Sequence, residues 1–174
     1  GTDAVVDVNA KVAQAAADLG IAMAVGSQYG AVRDKVGYAS YEIVRKYNPD
    51  GVVFANISAL ATPEQASEAV RMFNADALEV HLNPAQELFM SEGDKDFRGL
   101  LDNMLRIREG IDVPVIVKET GCGIAKEEYA RLKAAGFTCY DCAGAGGTNF
   151  PAIEAARYGK ELTADFVGWG LPTA

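Results

Sequence analysis

Apolar residues along this chain fall into two spacings that take turns: every third or fourth position over a dozen or more residues, then a short near-continuous run. Asp3 to Leu19 places Val5, Val8, Val12, Ala15, Ala16 and Leu19 at helical spacing, and Gly20 supplies a C-cap. Ile21 to Val25 reads as a buried strand that leaves through Gly26-Ser27-Gln28. Lys35 to Tyr47 predicts a weaker helix, and Gly51 to Ala55 a second strand that leaves at Asn56. Thr62-Pro63-Glu64-Gln65 opens a helix running to Asn74, with an N-cap, a proline at the first helical position and an acidic first turn. The third strand, Ala77 to Val80, breaks into the polar stretch His81-Leu82-Asn83-Pro84-Ala85-Gln86-Glu87 and a loop from Leu88 to Asp96. Phe97 to Ile111 predicts a helix and Val113 to Val117 a fourth strand ending in Lys118-Glu119. Lys126 to Ala135 is a helix, and Phe137 to Cys142 a fifth strand ending in Ala143-Gly144-Ala145-Gly146-Gly147-Thr148. Pro151 to Tyr158 reads as a last helix, and Trp169 to Thr173 trails off without another strand.

This alternation of helix and buried strand is the signal of a parallel sheet covered by helices. The polar exits at Ser27, Asn56, Asn83, Lys118 and Ala143 recur at intervals of roughly 30 residues, the length of a right-handed βαβ unit. Five such units fit an open doubly wound sheet or part of an eight-stranded barrel. In a barrel every strand's C-terminal end faces one mouth, whereas an open sheet gathers its ligand at one switch point. Five chemically equipped exits favour the barrel.

With 174 residues, 49% of them hydrophobic, the chain can bury a core, and its length suggests one domain over 1–174. No apolar run reaches membrane-span length and the N-terminus carries no signal-peptide pattern, so a cytoplasmic protein without a membrane partner is expected. A net charge of −8 with scattered Lys and Arg speaks against a nucleic-acid partner. Cys122, Cys139 and Cys142 with one histidine make a poor zinc set, and Cys139-Tyr140-Asp141-Cys142 places its C-x-x-C within a strand rather than at a helix start.

Candidate chemistry gathers at the strand exits. Lys118 can form a Schiff base, hold a phosphate, or stabilise negative charge on an electron-rich ring; its bland alternative is a pair with Glu119. The glycine-rich loop 144–147 lets backbone amides approach an anion or a ring, and Thr148 adds a hydroxyl; a tight turn explains the same glycines. Glu87 beside Gln86 is a candidate Mg²⁺ ligand or a solvated charge, and His81 a substrate contact or a core histidine.

Taken together, Gly26-Ser27-Gln28, Asn56, His81-Leu82-Asn83-Pro84 with Gln86-Glu87, Ser91-Glu92-Gly93-Asp94, Val117-Lys118-Glu119 and Ala143-Gly144-Ala145-Gly146-Gly147-Thr148-Asn149-Phe150 resemble the type 2 isopentenyl-diphosphate isomerases over nearly the whole chain. The resemblance implies a (β/α)8 TIM-barrel enzyme that interconverts isopentenyl and dimethylallyl diphosphate using FMN reduced by NADPH, with Mg²⁺. It implies FMN contacts at Ser27, Asn56, Lys118, Ala143 and Thr148. Substrate contacts are implied at Ser27, Gln28, Tyr29, His81, Asn83 and Gln86, catalytic roles for Gln86, Lys118 and His81, and Mg²⁺ binding by Glu87. A homo-oligomer is expected. Tyr29 stands where many relatives carry arginine, with Arg33 nearby, and Ala143 where some carry serine.

A complete barrel takes about 250 residues. The expectation is therefore a partial barrel of about five units, strands 2 to 6, without the first and last two strands, and impaired by itself. Two other readings remain open: an FMN-dependent barrel oxidoreductase of the hydroxy-acid oxidase or dehydrogenase type, and a non-catalytic fragment that persists by association.

Overall fold

The computed structural model describes residues 2–91 and 93–173; Glu92, quoted in the resemblance above, lies outside them, as do Gly1 and Ala174. Helix α1, Asp3–Leu19, ends where expected: Gly20 turns left-handed at φ 63° and its N–H reaches back to Ala16 and Ala17. Strand β1 is short, Met23–Ala24. The helix expected over 35–47 is α3, which starts later, at Ala39–Tyr47, because Lys35 at φ 56° and Gly37 at φ 74° turn the chain before it; a helix that was not expected, α2 at Tyr29–Asp34, precedes that turn. Strand β2, Val53–Ser58, carries Asn56 inside it rather than at its exit.

Helix α4, Pro63–Arg71, has a complete capping box: Thr62 Oγ1 accepts from Gln65 N at 3.3 Å and Gln65 Oε1 from Thr62 N at 2.9 Å. Strand β3, Ala77–His81, leads into α5, Pro84–Phe89, a helix that reaches into the segment expected as a loop from Leu88. Helix α6, Leu100–Glu109, precedes β4, Val115–Thr120, which continues past the predicted end at Val117 until Gly121 turns at φ 96°. Helix α7, Lys126–Ala134, strand β5, Cys139–Ala143, and helix α8, Phe150–Arg157, follow, then a 3₁₀ turn at Ala164–Phe166.

The strands are hydrogen-bonded in the order β1-β2-β3-β4-β5. The β1/β2 pair is parallel, Met23 opposite Val53. Leu78 N donates to Pro114 O and Leu82 N to Lys118 O, so β3 and β4 also advance together. An order that never reverses has no switch point, which is the α/β barrel pattern rather than the doubly wound one. The expected assignment to strands 2 to 6 is corrected: position in a sheet is set by hydrogen-bond neighbours, and the sheet begins at Met23–Ala24, so these strands count as β1 to β5. Residue types at strand exits carry no such count.

By contact the chain forms two compact units, residues 1–80 with 102–116, and residues 81–101 with 117–174. In the first, the buried side of α1, Ala13 and Ala16, serves the packing of α1 on α3, and Asn9 Nδ2 donates to Ser40 O at 2.6 Å. Its core includes Val44, Val53, Ile57, Leu78, Met104 and Ile107. In the second, α5 packs on α8, and Val117, Leu132, Phe137 and Ala155 are buried. Among the described residues no helix is long and apolar enough to cross a membrane.

Candidate active site

In the first unit the exit of β1 is divided by burial: Ser27 is exposed, Tyr29 half-buried and Gln28 fully buried. Gln28 extends the β1/β2 ladder with its side chain. Its N–H donates to Asn56 O at 2.8 Å, and its Oε1 accepts from Asn56 N at 2.9 Å. Nε2 then donates to Ala69 O on α4 at 2.9 Å, so one carboxamide ties β1, β2 and α4. Both ends of it are occupied within the protein. Ser27 is exposed; its Oγ accepts from Tyr29 N at 3.4 Å and its carbonyl from Tyr41 Oη at 2.9 Å. Asn56 is buried on β2 and donates from Nδ2 to Glu79 Oε2 on β3 at 2.8 Å.

In the second unit Asn83 caps α5, its Oδ1 accepting from Gln86 N at 3.2 Å. Its Nδ2 donates to Thr120 O on β4 at 2.9 Å and to Gln86 Oε1 at 3.0 Å. Gln86 passes the chain on, Nε2 to Glu154 Oε1 on α8 at 3.0 Å, and Glu154 Oε2 accepts from Arg157 at 2.7 Å. The Gln86 carboxamide is thus oriented from both sides, with its oxygen and nitrogen assigned by their partners. His81 ends β3 half-buried. Glu87, half-buried in the first turn of α5, accepts from Asp94 N at 3.2 Å.

Strand β4 alternates, placing Val115, Val117 and Glu119 on the buried side and Ile116, Lys118 and Thr120 on the other. Lys118 does not pair with Glu119. Its Nζ meets Asp141 Oδ2 on β5 at 2.6 Å, while Glu119 Oε2 accepts from Cys122 N at 2.7 Å and Gly123 N at 2.8 Å. Burial pushes the Glu119 carboxyl above its ordinary value, against the pull of those amides. Burial likewise raises the Cys122 thiol, with Glu119 adding to it. Cys139 and Cys142 are exposed and free.

The glycine-rich loop is not uniformly open. The segment that was expected to trail off returns to it: Ala145 N donates to Leu171 O at 2.7 Å, Gly144 N to Thr173 Oγ1 at 2.7 Å, and Ala145 bridges Pro172 in parallel. A Cβ on Gly144 would run into Leu171 O and lie 2.6 Å from Thr173 N. A Cβ on Gly147 would meet nothing within 4 Å among the described residues apart from its chain neighbours, and Thr148 is exposed. Ala143, half-buried, donates to Asp141 Oδ1 at 3.3 Å.

These donor sets suit the groups expected from the sequence. In the second unit a cation on a strand, open glycine backbone at 146–147 and an exposed hydroxyl suit a ring carrying negative charge and a phosphate. Glu87 supplies one carboxylate, and among the described residues no group of three or more His, Cys, Asp or Glu converges. One carboxylate completed by phosphate oxygens and water is a set that Mg²⁺ accepts. Sequence reading passed over Glu79, Asp141 and Glu154, the partners of Asn56, Lys118 and Gln86. Their signal was a carboxylate inside a strand or an apolar helix stretch, where an unpaired charge is costly.

No family model matches the chain. It is 49% identical over 175 residues to a protein of Symbiobacterium thermophilum named isopentenyl-diphosphate delta-isomerase, the match spanning 100% of this chain and 48% of that protein. Matches to proteins of the same name from Bacillus pumilus, 48% identical, and Bacillus cereus, 47% identical, span 97% and 100% of this chain and 47% and 50% of those proteins. Among solved structures, KGPDC from Streptococcus mutans superposes with a TM-score of 0.50 at 16% identity, over 76% of this chain and 58% of that one, a likeness of fold alone. The chain is similar along its whole length to proteins named isopentenyl-diphosphate delta-isomerase, and it spans about half the length of these curated relatives.

Proposed function

We propose that this chain is part of an isomerase of the type 2 class, which interconverts isopentenyl and dimethylallyl diphosphate in isoprenoid synthesis with FMN, NADPH as its reductant, and Mg²⁺. The observation that carries the reading is identity of 47 to 49% along the whole chain with proteins of that name. Moving the double bond requires a proton added at one carbon and removed at another, without net redox. When bound and reduced, FMN supplies an electron-rich nitrogen able to give and take back a proton.

The chain's residues then divide the work. In the first unit Ser27 offers its hydroxyl to FMN and substrate, Asn56 contacts FMN from β2, and Tyr29 flanks the substrate. Gln28, its carboxamide occupied, serves by holding the backbone beside Ser27. In the second unit Lys118 favours negative charge on the ring, with Ala143 and Thr148 at its side. Gln86, oriented by Asn83 and Glu154, would contact the substrate near its allylic carbons, His81 and Asn83 would line the substrate, and Glu87 would hold the Mg²⁺ that anchors the diphosphate. A cytoplasmic homo-oligomer, without nucleic-acid or membrane partners, completes the reading.

Incubation with isopentenyl diphosphate, FMN, NADPH and Mg²⁺ should yield dimethylallyl diphosphate, and omission of FMN or chelation of Mg²⁺ should abolish it. Turnover without flavin would remove the type 2 assignment. Net reduction of flavin by a hydroxy acid would instead favour an oxidoreductase. Since the chain spans about half the length of its relatives, the 174 residues alone should turn over far more slowly than those proteins.

A further inference from the structure

Aspartate is disfavoured inside a β-strand, where its short side chain competes for backbone hydrogen bonds, yet Asp141 sits in the middle of β5. Two contacts hold it. Oδ1 accepts from Ala143 N at 3.3 Å, anchoring the carboxylate to its own strand, and Oδ2 meets Lys118 Nζ at 2.6 Å across the β4/β5 pair. The Lys118 side chain is 19% exposed and that of Asp141 38%, so the pair is partly withdrawn from water and less screened than a surface pair. Glu119, the sequence neighbour of Lys118, is turned to the opposite face and engaged by two backbone amides. Among the described residues Asp141 is the carboxylate that meets this ammonium.

From this geometry we propose that Asp141 is a positioning residue for Lys118: it fixes where the ammonium sits and offsets part of its charge, setting how strongly the site favours an anionic ring over a neutral one. The inference rests on the flavin reading given above. Asparagine at 141 keeps an oxygen for the ammonium and removes the compensating charge. Alanine removes both.

The test is titration of oxidised and reduced FMN into the protein, followed by absorbance and fluorescence. Asp141→Asn should raise the ratio of affinities for reduced over oxidised FMN by about tenfold, and the same substitution in a Lys118→Met background should leave the ratio unchanged. A change of equal size in both backgrounds would overturn the proposal, since Asp141 would then act independently of Lys118. So would an unchanged ratio in Asp141→Asn when the parent protein binds FMN. Failure of the parent protein to bind FMN would overturn the flavin reading instead. A second measurement needs no flavin: Lys118 should be labelled by reductive methylation several-fold faster in Asp141→Ala than in the parent, as mapped by peptide mass spectrometry. Equal labelling would refute the ion pair itself.

Discussion

At the scale of single residues, the polar side chains here act mainly on one another. Gln28→Ala would leave Asn56 N and Ala69 O without their partner inside the first unit and open a space where a fully buried side chain stood. A loss of about 3 kcal/mol is expected, read from urea denaturation. Glu119 gives a pH signature. Its folded-state carboxyl titrates above the ordinary value of 4.5, so it favours folding fully below that value and loses the contribution as pH rises through the elevated one. Glu119→Gln keeps an oxygen for the Cys122 and Gly123 amides, so the variant should gain stability relative to the parent between pH 4 and pH 7. A flat difference across that range would rule out burial of the charge as the cause. Asn83, Gln86 and Lys118 were legible as polar breaks in apolar runs. Asp141 and Glu154 showed locally only as charges inside a strand and an apolar helix stretch, and their pairing with Lys118 and Gln86 was not legible, because a partner on a neighbouring strand or a distant helix depends on register and packing that no local pattern encodes.

At the scale of elements, legibility follows how local the determinants are. The α4 start was readable since Thr62, Pro63 and Gln65 lie within four positions, and all of the capping box is in them. Thr62→Ala should cost about 1 kcal/mol, measured as a lowered thermal midpoint, with Gln65→Ala costing part of the same amount. Helix α2 was not read from the pattern, and α3 was started too early, at Lys35, because Lys35 takes a left-handed backbone that local propensity does not assign to lysine. Strand β4 was cut short because polar residues were read as its end. Alternation shows otherwise: Lys118 and Glu119 belong to opposite faces of one continuing strand.

For the molecule as a whole, the α/β class followed from the alternation of periods, and the unreversed strand order agrees with it. The numbering did not follow, since exits of similar polarity are interchangeable and only hydrogen-bond neighbours tell them apart. The acidic balance has its own consequence: with a net charge of −8 at pH 7 and an isoelectric point near 4.7, self-repulsion vanishes near that pH. Turbidity should peak there and clear as pH rises toward 7.

The return of residues 171–173 to the glycine-rich loop gives two neighbouring glycines different histories. Gly144 is small because another stretch of backbone runs through the space its side chain would need, while Gly147 borders open space. Alanine at 144 should therefore act as a wedge, detaching the tail and exposing the Trp169–Thr173 peptide bonds to protease, whereas alanine at 147 should leave the digestion pattern unaltered. Smallness at one position is a tenancy already taken, and at the other it is a vacancy a ligand can use.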